Sequence, residues 1–428
     1  MVNFRKFVFL LKDALEGGQI RNSQDKIRHG IINPTSNNVT KDISKLLRHA
    51  VESVDNYKTV ISSNLSDFNV TNKTKLKDVL EGVLSKKFKG KKLISMTTSG
   101  STGTPFTVYQ DKGKKIRNHA DTLFFANMAG YELGHRLLYF KIWAKEKLSH
   151  PFLYWLQNIV PIDVIKLDES VIRKVLEDIK EHVGETHAVL GYVSALEQVV
   201  HYCEKHGIDD LGAKFSSVIT MSESLNIETK EKLEKLFNCP VVSRYSNLEN
   251  GIIAQQEVNG DGSFLINTAS YYVEILDLER DEILPEGHKG RIVVTDLYNY
   301  AMPMIRYDTG DIGSMYIAPN GKKYLKTVEG RKLDVLYDTH GNIVSSYIMY
   351  KNMWKYTEIS QYQLIQIGEK DYLFKINCPN SFDKESQLVT EFKEYLGEDS
   401  NFQVEYVTEI PLLNSGKRRK TVNLYRKD

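Results

Sequence analysis

Residues 97–105 read TTSGSTGTP, approached by the apolar KKLISM at 91–96 and followed by the strand-like FTVYQD at 106–111. Hydroxyls and glycines alternate in this stretch. Without Cβ atoms, Gly100 and Gly103 let backbone N–H groups come close to a phosphate chain, while Thr98, Ser99, Ser101 and Thr102 add hydroxyl donors to its oxygens. The segment thus reads as a polyphosphate cradle, with an ordinary surface loop rich in Ser, Thr and Gly as the competing reading. It lacks G-x-x-x-x-G-K-[ST], so it is not a P-loop, and its glycines do not make the G-x-G-x-x-G of a dinucleotide fold.

Downstream, strand-like and helical patterns alternate. AVLGYV (188–193) precedes SALEQVVHYCEKH (194–206), SSVITM (216–221) precedes NIETKEKLEKLF (226–237), and PVVSRYS (240–246) follows. That alternation predicts a β/α sheet. From Ser263 the pattern changes to FLINT, YYVEIL and RIVVTDL, separated by the turn-rich GDG and PEGHKG, which predicts antiparallel or mixed pairing. Beyond Gly330, QYQLIQIG and DYLFKINC read as strands, ESQLVTEFKEYLG as an amphipathic helix and FQVEYVTEI as a further strand, a ββαβ-like module. We expect an α/β chain with a large mixed-sheet domain over 1–329 and a small α+β lid domain over 330–428, joined at a short hinge.

Bulk properties agree with a multidomain globular protein, because 428 residues exceed the usual size of one hydrophobic core. With 57 basic and 55 acidic residues the formal charge is only +2, so nothing asks for nucleic acid as a partner. Cys203, Cys239 and Cys378 make no C-x-x-C pair, which fits a reducing, cytoplasmic setting. His201, Cys203 and His206 cluster loosely, but HYCEKHGI reads as the polar end of a helix rather than a metal site. Near the N-terminus, the apolar run Phe7–Leu11 is too short for a signal peptide or a membrane span. Phe4, Phe7, Val8, Leu11 and Leu15 follow helical spacing, so an amphipathic helix is expected there. Its stripe is expected to pack on the body rather than touch a membrane.

TSGSTGTP resembles the phosphate-binding signature of the adenylate-forming superfamily, which includes acyl-CoA ligases, luciferases and peptide-synthetase adenylation domains. The other signatures of that family have counterparts in the same order. Tyr245-Ser-Asn-Leu-Glu249 resembles its aromatic-x-x-x-Glu motif, and Arg306-Tyr-Asp-Thr-Gly-Asp311 its R-Y-x-T-G-D motif. Gly330-Arg331 with Asp334 resembles the hinge, and Asn414-Ser-Gly-Lys417 the catalytic-lysine loop. Gly191-Tyr-Val-Ser194 and Thr220-Met-Ser-Glu223-Ser-Leu are similar to acyl-pocket segments of the phenylacetate-CoA ligase-like branch, which includes CapK-like proteins of capsular polysaccharide biosynthesis.

The resemblance implies ATP- and Mg²⁺-dependent activation of a carboxylic acid as its acyl-adenylate. It assigns Glu249 to Mg²⁺, the 98–103 stretch to the phosphates, Tyr245 to the adenine face, Asp311 to the ribose diol and Arg331 to ribose or phosphate. Asp334 becomes the pivot, Lys417 the contact to both the carboxylate and the α-phosphate, and Tyr192, Ser222 and Glu223 the acyl pocket. The chemistry is coherent, since joining a carboxylate to a phosphate brings two anions together and fixed positive charge must neutralise them. Arg306 is kept out of the first rank because it could pair internally. The family usually has Gly where this chain has Ser246 and Ser222, which puts the shape of the acyl pocket in question. The expected acceptor is a thiol, of coenzyme A or of a carrier protein's phosphopantetheine. The alternatives are an amine or hydroxyl of a sugar or amino acid, a non-catalytic nucleotide-binding homologue, and a basic-tail RNA or membrane-surface binder resting on Lys417-Arg-Arg-Lys420.

Overall fold

The structure is a computed structural model and describes residues 4–32, 38–60, 64–98, 106–143, 151–331, 336–344, 347–353, 355–356, 358–378, 382–411 and 419–425. Three helices open the chain: α1 (Phe4–Leu15), α2 (Gln19–Ile32) and α3 (Asn38–Ser53), followed by the short α4 (Lys73–Asp78). A hairpin of β1 (Ile94–Thr98) and β2 (Phe106–Gln110) leads into α5 (Lys112–Met128). Then come β3 (Arg136–Lys141), α6 (Pro151–Gln157), β4 (Ile159–Asp163), α7 (Glu169–Glu181), β5 (Thr186–Tyr192), α8 (Val193–Lys205), β6 (Lys214–Met221), α9 (Ile227–Phe237) and β7 (Val241–Asn247). The strands β8 (Gly251–Gln256), β9 (Phe264–Ile266), β10 (Tyr271–Leu276), β11 (Gly290–Asp296), β12 (Tyr307–Ile317) and β13 (Lys323–Arg331) follow with no α-helix between them.

One eleven-stranded sheet runs through this part in the order β10-β11-β12-β13-β9-β8-β7-β6-β5-β3-β4. Pairing from β4 through β3, β5 and β6 to β7 is parallel, and from β7 onward it is antiparallel. The change of style expected near Ser263 therefore occurs within a single continuous sheet, at the β7–β8 step. The parallel half is covered on one face by α7, α8 and α9, whose Ile172, Leu176, Leu196, Val199 and Leu233 pack on Val189 and Val218. The opposite face receives Ala126 and Ala129 at the end of α5 and beyond it, against Leu190, Ile219 and Val242. Sheets buried on both faces need near-continuous apolar strands, which is what VITM and AVL supply.

Local chemistry starts the helices. Asp111, Asp168 and Asn226 accept from the backbone N–H of Lys114, Val171 and Thr229 at the first turns of α5, α7 and α9. Downstream lie the two-stranded β14 (Leu336–Tyr337) and β15 (Ile343–Val344), and then α10 (Tyr347–Met353). A four-stranded sheet follows, made of β16 (Gln361–Gln366), β17 (Asp371–Asn377), β18 (Asn401–Tyr406) and β19 (Thr421–Asn423) in the order β18-β17-β16-β19, with α11 (Glu385–Leu396) between β17 and β18. Leu364, Phe374, Leu388 and Phe392 give it a core of its own.

The N-terminal helix forms but does not pack as its periodicity suggests. Phe4, Phe7, Leu11 and Leu15 are exposed. Other residues dock α1: Phe9 meets the His119 ring edge-on, Arg5 pairs with Glu185, and the buried Asp13 accepts from the N–H groups of Ile20 and Arg21 at the start of α2. A buried cap outweighs the stripe because the first-turn N–H groups of α2 need an acceptor. Among the described residues no helix is long and apolar enough to cross a membrane. Cys203 lies in the core of α8, and His206 stacks on Tyr202 with its Nδ1 2.9 Å from the Tyr202 carbonyl.

A charged network fastens α5 to the antiparallel half. Lys114 Nζ lies 2.7 Å from Asp296 and donates to the Tyr271 hydroxyl at 3.0 Å, all three buried. Arg117 donates to Ser270 Oγ and to the Ala269 carbonyl, and Ser270 in turn donates to Asp121. The helix that leaves the cradle hairpin is thereby held in a fixed place relative to β10 and β11.

Burial lowers the pKa of His49, His119, His135 and His187 below the ordinary imidazole value. The folded chain then binds fewer protons than the unfolded one just below pH 6.5, so this stability is complete above that value and is lost as pH falls. The urea midpoint is expected to be lower at pH 5.5 than at pH 7.5, and His187→Gln is expected to flatten the slope. A midpoint that rises on acidification contradicts this account.

Candidate nucleotide and acid site

The cradle sequence sits at the tip of the β1–β2 hairpin. Thr98 pairs with Phe106 and Thr97 with Thr107, whose hydroxyls lie 3.0 Å apart, so the two ends of the 99–105 stretch are brought together. Ser99, Gly100, Ser101, Thr102 and Gly103 themselves, and the side chain of Thr98, lie outside the described residues. At the far end of β2, Asp111 caps α5 and also accepts from the N–H groups of Tyr300 and Ala301. This joins the hairpin to the segment that runs into Arg306.

The second and third motifs meet in space. The Tyr245 hydroxyl donates to Asp311 Oδ2 at 2.7 Å and lies 3.1 Å from Thr309 Oγ1. Burial, with the Asp311 charge beside it, holds the Tyr245 phenol well above its ordinary pKa. The local sequence shapes this contact. Asp308 Oδ1 accepts from Gly310 N–H at 2.8 Å, and Gly310 takes φ +79°, a conformation that an L side chain rarely adopts. The register of β12 against β11 shifts over this stretch, and Asp311 pairs with Arg331 on β13, which sets the two expected ribose contacts opposite one another on neighbouring strands. The Arg331 side chain lies outside the described residues, as does all of Asp334.

Glu249 is buried in the turn between β7 and β8 and accepts from the Tyr307 hydroxyl at a long 3.4 Å. Tyr307, Asp308 and Thr309 were present in the sequence only as filler of the R-Y-x-T-G-D motif, and the fold shows what each does. Arg306 pairs internally. Its guanidinium meets Glu274 at 3.2 Å and donates to the Phe68 carbonyl, and its own N–H donates to Thr295 Oγ1.

On the parallel side, Glu223 accepts from Ser194 N–H at 2.7 Å and from Ser194 Oγ at 3.1 Å, so it caps the start of α8. Ser222 has φ +73°, which explains physically why glycine suits this position in the family. Tyr192 is half-buried, its phenol raised by burial and by the Glu223 charge. These three residues are neighbours, as the sequence suggested.

Lys417 belongs to the stretch 412–418, outside the described residues, but both flanks are placed. Gln361 Oε1 accepts from Ile410 N–H, Gln363 donates to the Arg419 carbonyl, and Lys420 Nζ lies 3.5 Å from Glu197 on α8 while facing the Tyr362 ring at 5.3 Å. Lys420, on the C-terminal side of that stretch, therefore touches the same helix whose start carries Ser194 and is capped by Glu223.

Known proteins resemble this chain in sequence or in fold. The protein CapK of Staphylococcus aureus is 23% identical over 384 residues, covering 86% of this chain and 82% of that protein. A phenylacetate-coenzyme A ligase of Pseudomonas putida is 29% identical over 26% of this chain and 25% of its own. Residues 336–424 match the family model described as the CapK C-terminal domain. Among solved structures, 2-hydroxyisobutyryl-CoA ligase in the postadenylation state with its acyl-adenylate overlaps with a TM-score of 0.67 at 14% identity, over 90% of this chain and 88% of that one. The chain has the α/β fold of the acyl-CoA ligases. ATP-bound MatB from Rhodopseudomonas palustris, at a TM-score of 0.55 and 17% identity over 76% of this chain and 66% of that one, shares the fold as well. The expected α/β adenylate-forming fold, a large mixed-sheet part with a small C-terminal α+β part, is the one observed. The Tyr245–Asp311 contact and the Asp311↔Arg331 register join three of the motifs that carried the resemblance.

Proposed function

We propose that the chain activates a carboxylic acid with ATP and Mg²⁺ as its acyl-adenylate and passes the acyl group to a thiol, of coenzyme A or of a carrier protein's phosphopantetheine. The observation that carries this reading is the convergence of Tyr245, Asp311 and Arg331 from strands far apart in sequence. A diol-binding carboxylate beside an aromatic residue and opposite an arginine suits a nucleoside. In this reading Tyr245 covers the adenine, Asp311 accepts from the ribose hydroxyls, Arg331 reaches ribose or phosphate, and residues 98–103 cradle the phosphates. Tyr192, Ser222 and Glu223 border the acid, and the lid begins near 330 and pivots at Asp334.

Glu249 fits a Mg²⁺ ion, a hard cation that takes few carboxylates alongside phosphate oxygens. Its buried carboxylate accepts one long protein hydrogen bond among the described residues, which leaves lone pairs free. When bound, the ion supplies charge neutralisation at the phosphates. In this reading Lys417 supplies the positive charge that meets the negative charge accumulating between carboxylate and α-phosphate.

A second reading keeps the adenylation but delivers the acyl group to an amine or hydroxyl. It is favoured by the extent of the match to CapK, which spans most of the chain, whereas the match to the phenylacetate-coenzyme A ligase spans about a quarter. The deciding assay is Mg²⁺-dependent pyrophosphate release from ATP with hydroxylamine as acceptor, over aryl, aliphatic and amino acids. Turnover with one acid class is expected, and added coenzyme A separates the two acceptors by yielding a thioester or none. ATP binding without pyrophosphate release from any acid would sink the activation reading in favour of a nucleotide-binding protein.

A further inference from the structure

Arg244, one residue before Tyr245, has no anionic partner among the described residues. It is 6% exposed, its Nε donates to Gln255 Oε1 at 2.8 Å, and its Nη2 is buried without a hydrogen-bond partner among the described residues. Gln255 is itself committed, donating to the Phe125 carbonyl. The ionisable group that acts on Arg244 is the Tyr139 phenol, which burial pushes up to about 12 and keeps neutral. The guanidinium is correspondingly lowered to about 10 by burial. Burying a guanidinium without an anion is expensive, and such a group persists where an anion arrives from outside.

Its place in the sheet says what that anion belongs to. Arg244 is in register with Met221 on β6, and Met221 with Tyr192 on β5, a row at the carboxyl ends of the parallel strands. Ligands of open α/β sheets bind beyond those ends. The row stands next to Ser222 and Glu223, at the acid side of the site. A second cation lies at the same end of neighbouring β3, where Lys141 Nζ sits 4.5 Å from the Tyr139 ring centre and 4.1 Å from that of Trp143.

We propose that the acid this chain activates carries a second anionic group, a carboxylate, sulfonate or phosphate, which Arg244 receives through its unpaired guanidinium edge and Lys141 reinforces. The inference rests on the activation reading above and narrows its substrate to dianionic acids. A planar guanidinium matches two oxygens of such a group at once, and that contact discriminates against the analogue that lacks it.

The test compares matched acids, glutarate against pentanoate and 4-carboxyphenylacetate against phenylacetate, in acid-dependent ATP–pyrophosphate exchange, with the wild-type chain, Arg244→Gln and Arg244→Lys. Wild type is expected to favour the dianionic member of a pair by about 10–100-fold in kcat/KM, as one charged hydrogen-bonded contact supplies. Arg244→Gln is expected to erase that preference while the KM for ATP stays constant, and Arg244→Lys to keep part of it. The melting temperature of Arg244→Gln is expected to hold or rise, because an uncompensated charge has been removed. Equal use of both members by wild type, or equal loss on both in a destabilised Arg244→Gln, overturns the inference and leaves activation intact. If no acid supports exchange, calorimetric titration of the same acids decides. Binding of the dianionic acids that Arg244→Gln abolishes upholds Arg244 as the receiver of an anion while the activation reading falls, and binding that is absent or indifferent to Arg244 sinks both.

Discussion

Lys417→Ala is expected to lower acid-dependent pyrophosphate release by about 10²–10³-fold, the loss seen when one fixed stabiliser of transition-state charge is removed. ATP binding and melting temperature should hold. The carboxylate and the α-phosphate are both anions, and their bond forms only if positive charge meets the shared oxygens. In sequence Lys417 lies between Ile410, whose N–H donates to Gln361, and Lys420, whose Nζ lies 3.5 Å from Glu197 on α8. If Lys417→Ala turned over at the wild-type rate, the lysine would belong to a solvated basic tail. If Lys417→Ala lost ATP binding along with turnover, the residue would have a ground-state rather than a transition-state role.

The second large effect is on stability. Arg306→Met leaves Glu274 buried without its guanidinium, at a cost of about 3–5 kcal/mol, as for other broken buried pairs. Glu274 is already raised by burial, against the opposing pull of Arg306. Without that pull its folded pKa rises further above the unfolded value. The folded variant then binds more protons than its unfolded state, so its deficit is smaller at low pH and grows as pH rises. Urea unfolding at pH 6 and pH 8 reads both magnitude and sign. Adding Glu274→Leu should recover most of the loss, since no unpaired charge remains. A variant that unfolds normally but no longer binds ATP would move Arg306 from the scaffold into the nucleotide site.

These two arginine and lysine positions illustrate what could be read before the fold was known. The order of motifs from Thr98 to Lys417 was legible because each is a contiguous run whose residue types suit one step of phosphate chemistry. The role of Arg306 was not, since nothing near it in sequence discloses that Glu274 and the Phe68 carbonyl will surround it. Likewise nothing beside Arg244 in sequence discloses that its Nη2 lacks a partner among the described residues, because that is a property of what surrounds it.

Helix α1 shows the same limit from the other side. Its apolar period correctly predicts a helix, because periodicity reports on the backbone repeat. Which face turns inward depended on Asp13 capping α2 and on Phe9 reaching His119, both tertiary facts.

By itself, then, the amino-acid sequence determined the α/β class, the change from parallel to antiparallel strands and the small C-terminal module. Local propensity, hydrophobic period and short motifs are encoded within a few residues of one another. Only the tertiary structure decided that one continuous sheet carries both strand styles, that Asp311 is in register with Arg331 and receives Tyr245, that Glu223 caps α8, and that Nη2 of the buried Arg244 has no hydrogen-bond partner among the described residues. Register, burial and charge pairing arise between segments far apart in the chain, and their free energies exist only once those segments meet.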